Sequence, residues 1–303
     1  MELGVVFLGS SAAVPTRSRG LPGIAVVYRG SVVLLDCGEG TQARLTEAGI
    51  SPLRLAAVLI THLHGDHVFG LPGLLQSMSM LGRRHVLLVA GPPGLYGFLR
   101  EAARYTGWLP PYPLYVVELE PWEKLVLPNG FEATAFPVDH GARVAYGYRL
   151  VEPPRKPKIN LEKAARLGLR PGPLFSKLQR GEPVVIDGRL IRPEDVVEEQ
   201  PRVTIVYTGD TRPTRTVVEA AKGATVLIHD STFTSDMAEE AHEQGHSTAL
   251  DAARAAGEAG VEMLVLYHIS ARYDDPEPLL AEARRIHPRV VVAEDLAKLV
   301  LRP

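Results

Sequence analysis

Residues 61–70 read THLHGDHVFG and follow the apolar run at 57–60. His62, His64, Asp66 and His67 therefore fall within six positions, at the end of a strand-like stretch and on a turn that Gly65 eases. Ligand side chains placed there can converge on one space without entering the core. A lone histidine is ordinarily a satisfied surface or core residue, but four ligand-type groups in an HxHxDH pattern are not a chance cluster. Neutral imidazole suits zinc, manganese or iron, and a carboxylate can bridge two divalent ions, so further ligands are to be sought. Three sit just past apolar, strand-like runs: His140 in FPVDHG, Asp210 in IVYTGDTRP and His268 in LVLYHIS. Each alone could be an ordinary polar residue at a strand end. Together they complete a set of seven.

Outward from the cluster, short runs rich in β-branched residues at 4–8, 32–35, 57–60, 86–89, 203–207, 225–228 and 263–267 predict buried strands. Candidate helices alternate with them. After His67, Pro72 stands where a first-turn proline is tolerated, and Leu74, Leu75, Met78 and Leu81 recur at helical spacing until Gly82. Thr248, with Asp251 three residues on, predicts a capping box that opens a helix through ALDAARAAGEAG. Strands and helices mixed over 303 residues predict a layered α/β domain.

Residues 152–193 break this pattern, with many Pro and Gly, little strand signal and one short helical stretch at 161–167. About ten Lys or Arg stand there against about four acids, roughly +6, which leaves about −8 for the remainder of a chain whose net charge is −2. The segment reads as a basic protrusion inserted into a mildly acidic body, the alternative being a solvated loop.

With 46% hydrophobic and 22% charged residues the chain can bury a large core, which excludes a disordered or collagen-like class. Cys37 is the only cysteine, which excludes an intrachain disulfide and a multi-cysteine zinc ribbon and fits a reducing compartment. The stretch MELGVVFLGSS lacks a basic region followed by a long apolar one, and no run approaches about eighteen apolar residues, so a soluble cytoplasmic protein with no membrane segment is expected. A net charge of −2 does not draw a polyanion, so any nucleic-acid site must be a local patch.

FLGSSAAVPTRSRG, LLDCGEGTQ, THLHGDH, YTGDTRP, IHDSTF, GHST and HISARY occur in this order across essentially the whole chain. On these motifs the sequence resembles the metallo-β-lactamase superfamily and, within it, the ribonuclease Z family of endonucleases that trim the 3′ end of precursor tRNA. The resemblance implies two mixed sheets flanked by helices in a four-layer αβ/βα sandwich. It implies that His62, His64 and His140 bind one Zn2+, that Asp66, His67 and His268 bind a second, and that Asp210 bridges them, although such ligands also accept Mn2+ or Fe2+. Asp36 in LLDCGEGTQ would orient a ligand histidine. The residues alone also allow it to be a turn residue ahead of Gly38.

A phosphodiester repels nucleophiles through its anionic oxygens, and two metal ions counter this by supplying hydroxide near neutral pH and neutralising charge. By the same resemblance Asp66 would be both ligand and acceptor of the water's proton. His246 in GHST would protonate the leaving ribose oxygen, and Asp230 in IHDSTF would orient it. Relatives often carry Glu in place of Asp230, so the shorter side chain is expected to lengthen that contact. Read without the resemblance, His246 is a residue ahead of the Thr248 cap. Arg272 in HISARY would clamp the scissile phosphate, or else pair on the surface.

Arg17 and Arg19 in PTRSRG would contact phosphates near the cleavage position, with Gly20 standing where relatives often have Asn. The basic segment, with PGPL at 171–174 and Lys156, Lys158 and Lys177, would be the arm that grips the tRNA elbow and reads RNA shape instead of base sequence. A precursor-tRNA substrate and a homodimer follow from the same resemblance. Other readings are another hydrolase of this fold, such as a small-molecule phosphodiesterase, a sulfatase or a thioester hydrolase. An oxygen-reducing di-iron protein would carry Glu at the position of His64 and a flavin domain, and this chain shows neither. A nucleic-acid-binding protein that has lost catalysis would have lost ligands, and all seven are present.

Overall fold

Runs that are apolar at consecutive positions, not alternate ones, belong to strands covered on both faces. In the computed structural model, which describes residues 3–141 and 144–302, these runs form the centres of two sheets. Among the described residues each sheet has seven strands. The first runs in the order Lys298–Leu301, Leu3–Gly9, Gly23–Tyr28, Ser31–Leu35, Leu55–Leu59, Leu87–Gly91 and Leu114–Glu118. Its last four strands are parallel and the rest antiparallel. The second runs Val290–Val292, Met263–Tyr267, Val226–Asp230, Thr204–Tyr207, Tyr146–Val151, Glu132–Pro137 and Lys124–Val126. There the first four are parallel, so each sheet has a parallel half and an antiparallel half.

The inner faces of the sheets share one core, in which Val5, Phe7, Val26, Leu35 and Leu59 meet Tyr148, Ile205, Tyr207, Ile228 and Tyr267. On the outer face of the first sheet Val58 and Val89 pack with Leu71, Leu74, Leu75 and Met78 of helix Gly70–Met80. Outside the second, Val206 and Leu227 pack with Ala249, Ala252, Ala253 and Ala256 of helix Ala249–Ala259. The result is the four-layer αβ/βα sandwich. Thr248 caps the second of these helices reciprocally with Asp251, as the sequence predicts. Helix Gly70–Met80 ends one residue before Leu81, which is 56% exposed, so Leu71 and not Leu81 completes the buried stripe. No helix among the described residues is long and apolar enough to cross a membrane.

Residues Glu152–Arg202 form a second compact unit. Its core is Ala164, Leu169, Leu178, Val184, Ile191 and Val196, drawn from helices Leu161–Arg166, Pro173–Gln179 and Pro193–Val196 and a hairpin. The hairpin pairs Val184–Ile186 with Arg189–Ile191, and Lys158–Ile159 pairs with Val197–Glu198. The unit therefore closes at Arg202 and not near 193, because its first strand is partnered by one that lies beyond that point. These strands are two or three residues long, too short to leave a run in the sequence. The extension brings in Glu194, Asp195, Glu198 and Glu199, so the unit holds 11 Lys or Arg against 8 Asp or Glu, a net +3 and not about +6.

Gly38 and Gly70 let the loop after strand Ser31–Leu35 lie backbone to backbone against the ligand turn. A Cβ on Gly38 would meet Asp66 O at 2.2 Å, and one on Gly70 would meet Gly38 O at 2.0 Å. Gly38→Ala is expected to destabilise the protein by about 1–3 kcal/mol through overpacking, read as a lower urea midpoint at unchanged slope. A midpoint equal to wild type would show that the loops part without cost.

Candidate metal centre

The chain places its ligand-type residues at the carboxyl ends of strands, where side chains leave the sheet and backbone direction is free to change. Asp36 directly follows Ser31–Leu35, and His268 directly follows Met263–Tyr267; both hold positive φ, 56° and 59°. His62 lies just beyond Leu55–Leu59, Asp210 beyond Thr204–Tyr207 and His140 beyond Glu132–Pro137. His64 precedes the short helix Gly65–Val68, which carries Asp66 and His67.

All seven predicted ligands meet. One nitrogen each from His62, His64 and His140 lie within 4.8 Å of one another, and so do one atom each from Asp66, His67, Asp210 and His268. Asp210 joins the two groups: its Oδ2 is 3.8 Å from His62 Nε2, 3.7 Å from His140 Nε2 and 3.4 Å from His268 Nε2, while its Oδ1 is 3.3 Å from His67 Nε2. Asp66 Oδ2 faces both His67 Nε2 and His268 Nε2 at 3.5 Å and accepts the Ala13 N–H at 3.2 Å. His62 Nε2, His67 Nε2, His268 Nε2 and Asp210 Oδ1 are buried without a hydrogen-bond partner.

Buried polar atoms left this way need an explanation, and divalent cations fit the observation. The donors are imidazole nitrogens and carboxylate oxygens, the set that zinc, manganese and iron accept. The electrostatics agree. Burial disfavours charge on His67, yet Asp210, Asp36 and Asp66 outweigh it and hold that imidazole well above its ordinary range. His62 is pushed well below by burial and by its neighbour His67, whose ring centre is 4.2 Å away. Burial raises Asp210, but His268 and His67 prevail and keep it well below the usual carboxylate range. Around Asp210, Asp36 and Asp66 the cluster favours positive charge, while the His62 ring is kept neutral.

The second layer was only partly predicted. Asp36 accepts His67 Nδ1–H at 2.8 Å, the orienting contact expected of it, and is fully buried. His140 Nδ1–H donates to Gly245 O at 2.8 Å, which turns Nε2 toward the ligands. Sequence reasoning missed Thr61, Thr232, Tyr207 and Arg212. Tyr207 reads as part of an apolar strand, but its hydroxyl donates to Asp36 Oδ2 at 2.8 Å. Arg212 donates to Asp139 Oδ1 at 2.8 Å, to Glu243 O at 3.2 Å and to His242 O, binding the loop of His140 to the segment that leads to His246. The run YTGDTRP carried the only signal for it.

Beside the cluster, His246 Nδ1–H donates to Asp230 Oδ2 at 2.8 Å, so the shorter carboxylate does not lengthen the contact. Burial opposes charge on His246, but Asp230 outweighs it and raises the imidazolium to about 9. Its ring stacks on His268 with centres 5.1 Å apart.

The remaining predicted contacts fare differently. Arg19 is only 8% exposed and donates to Ser10 Oγ and Ala293 O, both at 2.6 Å. Both bonds come from Nη1, so Arg19 ties the 10–20 loop into the protein and is buried, not exposed as a surface phosphate contact would be. Arg17 on the same loop is exposed. Arg272 lies over the Phe233 ring, 4.8 Å from its centre, and pairs with Glu240 at 3.4 Å. Its fork is therefore engaged on the surface instead of extended over the ligands. Lys156, Lys158 and Lys177 are exposed on the second unit and form no salt bridge among the described residues.

Comparison with known proteins converges on the same reading. The family "Metallo-beta-lactamase superfamily" matches residues 23–148, and "Beta-lactamase superfamily domain" matches residues 196–269. The chain is 49% identical over 296 residues to Ribonuclease Z of Ignicoccus hospitalis, covering 98% of this chain and 97% of that one. It is 43% identical to Ribonuclease Z of Methanosarcina acetivorans, covering 98% and 97%. Among solved structures, human tRNase Z, short form, superposes with a TM-score of 0.71 at 25% identity, covering 99% of this chain and 100% of that one.

If orphaned donors await cations, then adding Zn2+ should stabilise the fold by mass action, by about 4 kcal/mol at a thousandfold excess over Kd. Thermal melts with Zn2+ and with a chelator are expected to differ by several degrees, and Asp210→Ala should abolish the difference. An unaltered Tm in wild type would remove the metal reading.

Proposed function

Since this chain belongs to the ribonuclease Z family of the metallo-β-lactamase superfamily, we propose that it is a two-metal endoribonuclease. It cleaves the 3′ trailer from precursor tRNA and leaves a 3′-hydroxyl on the tRNA and a 5′-phosphate on the trailer. The observation that carries the reading is the meeting of seven donors with the His246–Asp230 pair beside them.

His62, His64 and His140 would hold one Zn2+, Asp66, His67 and His268 the second, and Asp210 both; Mn2+ or Fe2+ suit the same donors. Bound divalent ions would neutralise the phosphoryl oxygens, lower the pKa of coordinated water to about 7 and stabilise a departing alkoxide. Asp66, kept ionised by the imidazoles around it despite burial, accepts the proton of the attacking water. His246 supplies the other proton. Asp230 occupies its Nδ1–H, so the proton it gives up to the leaving ribose oxygen departs from Nε2. At neutral pH that proton is present, because the ring titrates near 9.

The second unit serves as the tRNA-binding arm, an insertion in the single catalytic domain. Lys156, Lys158 and Lys177 supply phosphate contacts that position the RNA without reading bases. Arg17 does so near the cleavage position, and Arg272 does so if it exchanges Glu240 for phosphate. The protein acts as a homodimer in the cytoplasm.

Incubation with a 3′-extended precursor tRNA should yield the two stated end groups, and a chelator should stop the reaction. His246→Ala is expected to lower kcat about 10²–10⁴-fold with KM little changed. Equal turnover by that variant would assign the proton donor elsewhere. Replacing Lys156, Lys158 and Lys177 together by Ala should lower the salt slope of tRNA binding by about two to three, while hydrolysis of a small aryl phosphodiester stays as in wild type. Were both unchanged, a small-molecule phosphodiesterase would become the better reading.

A further inference from the structure

One hydrogen-bonded unit occurs twice behind the ligands. Asp36 accepts the Thr61 N–H at 2.8 Å and the Thr61 hydroxyl at 2.9 Å; Asp230 accepts the Thr232 N–H at 3.1 Å and the Thr232 hydroxyl at 2.7 Å. Both carboxylates are fully buried. A hydroxyl has one proton and a carboxylate only accepts, so each threonine's proton is committed to its carboxylate. Thr61 Oγ1 also lies 3.0 Å from His62 Nδ1, and Thr232 Oγ1 lies 3.0 Å from His268 Nδ1. With its proton spent, each hydroxyl oxygen can only accept, which requires N–H at Nδ1. The lone pair then sits on Nε2, the atom of each ring that is buried without a partner and faces Asp210. Each carboxylate takes a second imidazole directly: His67 on Asp36 and His246 on Asp230, both at 2.8 Å.

We propose that Thr61 and Thr232 are positioning residues, each relaying a buried carboxylate to a ligand histidine. Asp36 thereby sets His62 and His67 together, and Asp230 sets the ligand His268 together with the proton donor His246. The consequence is a coupling: a change at Asp230 disturbs metal affinity as well as proton delivery. The inference rests on the ligand roles given above.

The test uses full-length wild type, Thr61→Val, Thr61→Ser, Thr232→Val and Thr232→Ser, stripped of metal and titrated with Zn2+ against a competing chelator. Each Val variant should lose about 10- to 100-fold in affinity, the range for ligand-orienting partners. Each Ser variant, which keeps the hydroxyl, should stay close to wild type. Asp230→Asn should weaken Zn2+ binding too, and its combination with Thr232→Val should lose less than the two single losses together, because both break one relay. Nitrogen-15 spectra of the Zn2+-loaded protein should show His268 with its proton on Nδ1 in wild type and in Thr232→Ser. If circular dichroism shows a Val variant to be poorly folded, Ala replaces it with the same expectation. Val variants that bind Zn2+ as wild type does would overturn the proposal, and so would Ser variants as weak as Val, which would trace the loss to packing. Failure of wild type to bind Zn2+ at all would instead overturn the ligand roles on which it rests.

Discussion

Withdrawing lone pairs from water while giving them no protein partner is the constraint that the rest of this structure serves. Four such atoms, on His62, His67, His268 and Asp210, sit at one end of the sandwich. Leaving a buried polar group unsatisfied costs about 1–3 kcal/mol each, and more when it is charged, so the apolar core must hold open a site that would otherwise relax. The largest fully buried side chains are Tyr148, Tyr207 and Tyr267, whose rings fill the space between the sheets. Their hydroxyls reach Ile60 O, Asp36 and Gly9 O. Core packing and site support are thus made by the same residues, and a cation that binds only the folded state returns the energy as stability.

The two sheets solve the geometry in the same way. Each contributes a block of four parallel strands, and parallel strands deliver their carboxyl ends to one edge. Asp36 and the HxHxDH turn come from the first block; Asp210, Asp230 and His268 come from the second. His140 arrives from the antiparallel half, and Gly245 O and Arg212 hold its loop from the other side. Ligand-type residues separated by some two hundred positions therefore meet over the end of a single shared core.

The second unit follows different physics. It has its own small core, so it can keep a shape while presenting charge. Its acids are not spread evenly: Lys163 pairs with Glu198, Arg180 with Glu182 and Arg155 with the buried Glu152. Lys156, Lys158 and Lys177 are left without such pairs among the described residues. A modest net charge is then compatible with phosphate binding, because contact depends on local cations and not on the sum over the unit.

Much of this was legible in the order of residues. Continuous apolar runs located seven of the strands because both their faces are buried, while Gly23–Tyr28 and Tyr146–Val151, also interior to their sheets, were not marked. The Thr248–Asp251 cap was readable because it involves only neighbours in the chain. The candidate cluster was readable because HxHxDH concentrates in one turn what chance would scatter, and family motifs pointed to the distant members that the fold brings beside it. Where reading failed, the cause lay in partners remote in sequence. Arg19 looked like a free cation but is buried, with Nη1 bonded to Ser10 and Ala293, and the end of the inserted segment was placed too early because Val197–Glu198 pairs with residues almost forty positions earlier. Composition, local patterning and motif order thus determined the class of fold and the chemical kind of site. Only the tertiary structure decided which hydroxyl donates to which carboxylate, since a hydrogen bond depends on distance and direction, and the chain's order specifies neither for residues that folding alone brings together.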